Sequence, residues 1–169
     1  LEQWTGTPSL DEYQSRNPDR VRKQMAAIYT ALTEQQIIYS TIPASFEEHG
    51  QRVRLTDSVL AQKLGTCLDM ALLYTSCLES IGLNALIVIT KGHAFAGGWL
   101  VPETFPDPAI DDVSLLTKRT AEGIYDITLV ETTCMKFHPR HRHQKGQAFG
   151  SPPDPAARTE RTSMGNKGR

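Results

Sequence analysis

An α+β fold follows from three features of the sequence. Val21, Met25, Ile28 and Leu32 recur at helical spacing, and residues 68–81 are helix-compatible and apolar on most sides. Strand-like runs follow close together at 84–90, 93–101 and 124–130. Helices first and neighbouring antiparallel strands afterwards argue against a doubly wound parallel sheet.

Each element has local support. Ser9-Leu10-Asp11-Glu12 fits a capping box over a short stretch, and Asn17-Pro18 is a good N-cap and N1 pair for the first long helix. Ile37-Ile38-Tyr39 is briefly β-prone, and Pro43 ends what precedes it. Residues 45–54 read as a loop turning at Gly50, after which Thr56 or Asp57 caps a short helix ending near Lys63. The apolar helix begins beside Cys67 and stops at Gly82, a natural left-handed C′ residue. Lys91-Gly92 is a tight turn between strands, and a Pro-rich stretch at 102–108 interrupts the pattern. A short helix is expected over 115–122, before the last strand.

The 169 residues are enough for one domain with a real core. No run approaches the roughly 18 apolar residues of a membrane span, and no charged-then-apolar leader opens the chain, whose first residue, Leu1, suggests a fragment. Three widely spaced cysteines do not form a disulfide framework, so a reducing, cytoplasmic setting is expected. Residues 1–135 are acidic; residues 136–169 carry eight basic and two acidic residues and few apolar ones. That tail is expected to be disordered and able to touch nucleic acid weakly. The domain is thus 1–135, a helical part over 1–64 and a core over 65–135.

The chemistry centres on Gly65-Thr66-Cys67. A thiol at a helix N-terminus meets a partial positive charge that favours the nucleophilic thiolate. That effect is typically about 0.3–1 kcal/mol, so a histidine partner is also needed. Asp69 lies about 200° around the helix from Cys67, and is expected to serve the helix dipole or nearby amides instead. Cys77 reads as an ordinary buried thiol.

His93 is the natural base. Strand alternation puts His93, Phe95 and Trp99 on one face, expected to look inward at the Cys67 helix. Alternation from Ile124 puts Tyr125, Ile127, Leu129 and Glu131 on one face, read as the core side, with Asp126 on the other. A carboxylate pointing inward is costly unless paired, and His93 is its expected partner. Asp126 is the second choice. The oxyanion of an acyl-transfer step would take the Cys67 backbone N–H, with Gln62 or Gln51 as a further donor. Cys134, His138, His141 and His143 cluster within ten residues, but their spacing matches no structural zinc pattern. No metal and no cofactor are expected.

The stretches Gly65-Thr66-Cys67-Leu68-Asp69-Met70-Ala71, Gly92-His93-Ala94-Phe95 and Val130-Glu131-Thr132-Thr133 resemble the transglutaminase-like cysteine-peptidase superfamily. The resemblance implies a papain-like α+β core with Cys opening a buried helix, His on one strand and an acidic residue on the next. Family members usually carry Asp where this chain has Glu131. A closer resemblance spans residues 4–133 and includes Pro8-Ser9-Leu10-Asp11-Glu12-Tyr13, Pro43-Ala44-Ser45-Phe46-Glu47 and Gly50-Gln51-Arg52-Val53-Arg54-Leu55. It is to the transglutaminase-like region of large bacterial proteins associated with superfamily I DNA helicases. It implies a helicase or nuclease partner or parent chain, although no phosphate-binding loop ending in Gly-Lys-Ser or Gly-Lys-Thr occurs here.

The expected activity is thiol-dependent acyl transfer or hydrolysis at an amide of a protein or peptide, through Cys67, His93 and Glu131. The alternative is a catalytically silent binding or accessory module of a helicase or nuclease system.

Overall fold

The computed structural model describes residues 1–41 and 52–135. Pro43, the 45–51 part of the expected loop, Gln51 and the basic tail with His138, His141 and His143 lie outside the described residues. The chain opens with a single helical turn, α1 (Glu2–Thr5), which the sequence reading did not anticipate. Residues 9–12 form no helix; a turn follows in which Glu12 has φ 49°.

Helix α2 (Pro18–Glu34) begins as its sequence predicts. The Asn17 side chain accepts from the Asp19 and Arg20 amides, and Pro18 fills a position whose N–H would be unpaired. Its stripe of Val21, Met25, Tyr29 and Leu32 is buried. Gln24 is also buried; its amide accepts from Asp11 N–H at 3.1 Å and donates to the Glu12 carbonyl at 3.0 Å. This fastens the N-terminal turn to α2 without leaving a buried polar group unpaired.

Two short strands, β1 (Ile38–Tyr39) and β2 (Leu64–Gly65), pair in parallel, with Tyr39 opposite Gly65. Helix α3 (Thr56–Gln62) lies between them. The expected cap differs: Leu55 is the N-cap with no side-chain bond, and Thr56 is already helical. Helix α4 (Cys67–Ser80) then crosses the core, burying Met70, Ala71, Leu73, Tyr74 and Leu78. Gly82 ends it at φ 77°, where a side chain would also strike Glu12.

Strands β3 (Ala85–Thr90), β4 (His93–Trp99) and β5 (Ile127–Val130) form an antiparallel sheet with β4 in the middle. Helix α5 (Val113–Thr120) is capped by Asp112 and precedes β5, which starts three residues later than expected. Tyr125, just before it, sits at φ 51°, incompatible with a continuing strand. A 3₁₀ turn, Thr132–Met135, follows β5.

The inward face of the sheet is not the expected one. A Cβ on Gly98 would lie 2.6 Å from Met25 Cε and 3.4 Å from Leu78, and Ala96 and Val130 belong to the main core. The small side of β4, with Ala94, Ala96 and Gly98, therefore faces the helices. The face of His93, Phe95, Gly97 and Trp99 looks the other way, as does that of Leu129 and Glu131. Small residues face inward because α4 packs directly on β4 and needs a close approach.

Gly97 makes the opposite face equally tight. A Cβ there would lie 2.9 Å from Leu129 Cδ2 and 3.0 Å from the Thr128 carbonyl oxygen. Since a backbone oxygen cannot rotate away, Gly97→Ala is expected to cost about 1–3 kcal/mol in chemical denaturation. Unchanged stability would show that β5 yields freely.

Candidate active site

Cys67 occupies the first turn of α4, behind a satisfied cap. Thr66 Oγ1 accepts from the Asp69 amide at 3.2 Å, while Asp69 Oδ2 accepts from the Thr66 amide at 2.9 Å. This reciprocal capping box is the role expected of Asp69, on the far side from the sulfur. Its further partner was not foreseen. Arg54 donates its backbone N–H to Oδ1 at 2.8 Å and a guanidinium N–H to Oδ2 at 2.9 Å. Burial pushes the Asp69 carboxyl up, but the Arg54 and Thr66 donors more than offset it and hold it below the ordinary range.

The topology brings His93 to the same end of the molecule. Gly98 in β4 lies beside Leu78, near the C-terminus of α4. From Leu78 back to Cys67 is about 16 Å of helix, and from Gly98 back to His93 about 16 Å of strand. Helix α4 packs on β4, and Cys67 and the His93-paired Glu131 both neighbour Tyr39.

His93 Nε2 and Glu131 Oε2 are 2.8 Å apart. The other carboxylate oxygen, Oε1, accepts from the Thr133 amide at 2.9 Å and the Thr133 hydroxyl at 2.7 Å. The Glu131 carbonyl accepts from Tyr29 of α2 at 3.2 Å. Burial pushes the Glu131 carboxyl up, yet Thr133 and His93 outweigh it and hold it below its usual value. An ionised carboxylate only accepts, so Nε2 is the donor of this pair and Nδ1 is the ring nitrogen left free of it. His93 and Glu131 side chains are 35% and 43% exposed, leaving room for a substrate. They share a face as expected, although that face turns away from α4. Their position at the strand ends, rather than inward orientation, is what brings them to the Cys67 end.

Tyr39 joins the two halves. Its hydroxyl lies beside the Cys67 side chain, and burial, then the neighbouring Cys67 and Glu131, raise its pKa. The β1–β2 pairing is the signal that places it there, and no local pattern in the sequence contains that pairing.

Several expected participants stand apart. Gln62 is exposed at the end of α3, and its side chain makes no hydrogen bond to another described residue. Asp126 pairs with Arg119 at 2.7 Å and serves structure. Cys77 is half-buried and its thiol is pushed up by burial, as befits an inert side chain; Cys134 is exposed on the 3₁₀ turn. Among the described residues no group of three or more His, Cys, Asp or Glu could hold a metal, and no helix is long and apolar enough to cross a membrane. A cavity of about 320 Å³, lined by Glu79, Gly82 and Asn84 among others, lies at the opposite end of α4 from Cys67. No family model, curated protein or solved structure matches the chain.

Proposed function

We propose that this chain is a transglutaminase-like cysteine amidase with a papain-like core, acting on an amide bond of a protein or peptide. The observation that carries the reading is the 2.8 Å His93–Glu131 pair, fixed by Thr133, at the end of the fold where Cys67 opens its helix. His93 Nδ1 takes the Cys67 proton, and the thiolate attacks the carbonyl carbon. As the tetrahedral species collapses, the C–N bond breaks and His93 returns the proton to the leaving amine. Water or an amine then attacks the thioester, and the thiolate leaves with the acyl group transferred. Glu131 holds the ring in the required tautomer and stabilises the imidazolium. Three free thiols suit a reducing, cytoplasmic setting.

Alkylation tests this directly. At about pH 6.5, iodoacetamide is expected to label Cys67 at least tenfold faster than Cys77 or Cys134. His93→Ala should abolish most of that advantage. Equal, slow labelling of all three would overturn the enzyme reading and favour a silent accessory module for a helicase or nuclease partner.

A further inference from the structure

Tyr39 is held beside the nucleophile by backbone bonds on both of its flanks. Ile38 N–H donates to the Lys63 carbonyl at 2.8 Å, and Ser40 N–H donates to the Gly65 carbonyl at 2.9 Å. Those bonds pin Tyr39 opposite Gly65, two residues before Cys67. Gly65 cannot shift freely: a Cβ on it would already be 3.3 Å from Val59 and 3.4 Å from Asp69. The phenol is half-buried, and the register opposite Gly65 sets it beside the Cys67 side chain, with Glu131 close by. Burial and these two acidic neighbours all favour the protonated phenol, so the group remains a donor where a thiolate nucleophile works.

A donor in that position suits the acyl-transfer step. When a carbonyl carbon bonds to the Cys67 sulfur, its oxygen lies one bond further out, within reach of donors that flank the sulfur. The capping box uses the Thr66 and Asp69 amides. The Cys67 N–H, at the first helical position, has no acceptor within the helix. From this juxtaposition we infer that the Tyr39 hydroxyl and the Cys67 backbone N–H form the oxyanion hole. Tyr39 is then a catalytic residue. The inference rests on the amidase reading. It adds one structural requirement, that β1 stay paired with β2 during turnover.

Two probes separate this role from thiol activation. Acetylation of Cys67 by p-nitrophenyl acetate passes through a tetrahedral oxyanion; alkylation by iodoacetamide does not. Tyr39→Phe removes the hydroxyl alone. It is expected to slow acetylation on the order of 100-fold while changing alkylation by less than about fivefold. Replacing Tyr39 with 3-fluorotyrosine keeps the donor, and should retain acetylation within about fivefold of the unmodified protein. A loss in Tyr39→Phe that 3-fluorotyrosine does not share belongs to the hydroxyl, and a 3-fluorotyrosine protein as slow in acetylation as Tyr39→Phe would overturn the assignment. Acetylation unaffected by Tyr39→Phe would overturn the assignment, as would equal losses in both reactions, which would make Tyr39 a positioner of the sulfur. If the unmodified protein shows no selective, His93-dependent alkylation, the amidase reading itself falls. If that selectivity holds and only the acetylation result is flat, Tyr39 alone is removed.

Discussion

Asp69→Ala is expected to lower the unfolding free energy by about 3 kcal/mol, measured in urea. The Asp69 side chain is fully buried and makes an ion pair with Arg54, whose side chain is 25% exposed. Removing the carboxylate strands the buried Thr66 amide, the Arg54 amide and a partly buried guanidinium at once. Water reaches Arg54 and softens the loss, which sets the estimate at the lower end for broken buried pairs. A change below about 1 kcal/mol would mean that the residues around Arg54 rearrange to satisfy those donors.

The same carboxyl gives the fold a defined acid limit. Asp69, Asp11 and Glu131 are all held below their ordinary values, 3.8 for Asp and 4.5 for Glu. Groups with depressed folded pKa values contribute stability that is complete above the unfolded value and lost as pH falls through the folded one. Stability is therefore expected to be insensitive to these groups above about pH 5 and to fall below about pH 4. Asp69→Ala should make that acid limb shallower. An unchanged limb would assign acid sensitivity to other groups.

Glu131→Gln is expected to slow Cys67 acetylation by roughly a hundredfold or more, while stability changes by less than about 1 kcal/mol. The two effects differ because of exposure. A half-exposed pair contributes little to folding, since water screens it and solvates either partner alone. Its catalytic role depends on tautomer and charge. An amide can accept from Nε2, but it can also present its NH₂ group, and it supplies no charge to the imidazolium formed during proton transfer. Thr133 fixes which oxygen faces His93, and its own two donors would favour the amide oxygen, turning the NH₂ toward the ring. Acetylation within threefold of the unmodified protein would exclude Glu131 from the mechanism.

The elements themselves were largely legible. Asn17-Pro18 started α2, the apolar run after Cys67 became α4, and Gly82 stopped it. Such features are local: a cap, a period or a left-handed residue depends on neighbours within one or two turns. The pairing of His93 with Glu131 was also readable, because both fell at strand ends on the same parity. Parity alone left the direction of that face open. Both sides of β4 carry apolar residues, and the choice was made by steric fit, since only Ala94, Ala96 and Gly98 let α2 and α4 come close.

What the amino-acid order determined without help was helices α2 and α4, the three strands of the antiparallel sheet, the thiol at a helix start and the shared face of imidazole and carboxylate. Tertiary structure alone decided that Arg54 completes the Asp69 cap, that β1 pairs with β2 and that Tyr39 comes beside Cys67. Those contacts join segments 15 or more residues apart. No periodicity encodes such a meeting, because it is fixed by how whole elements pack rather than by any short window of the chain.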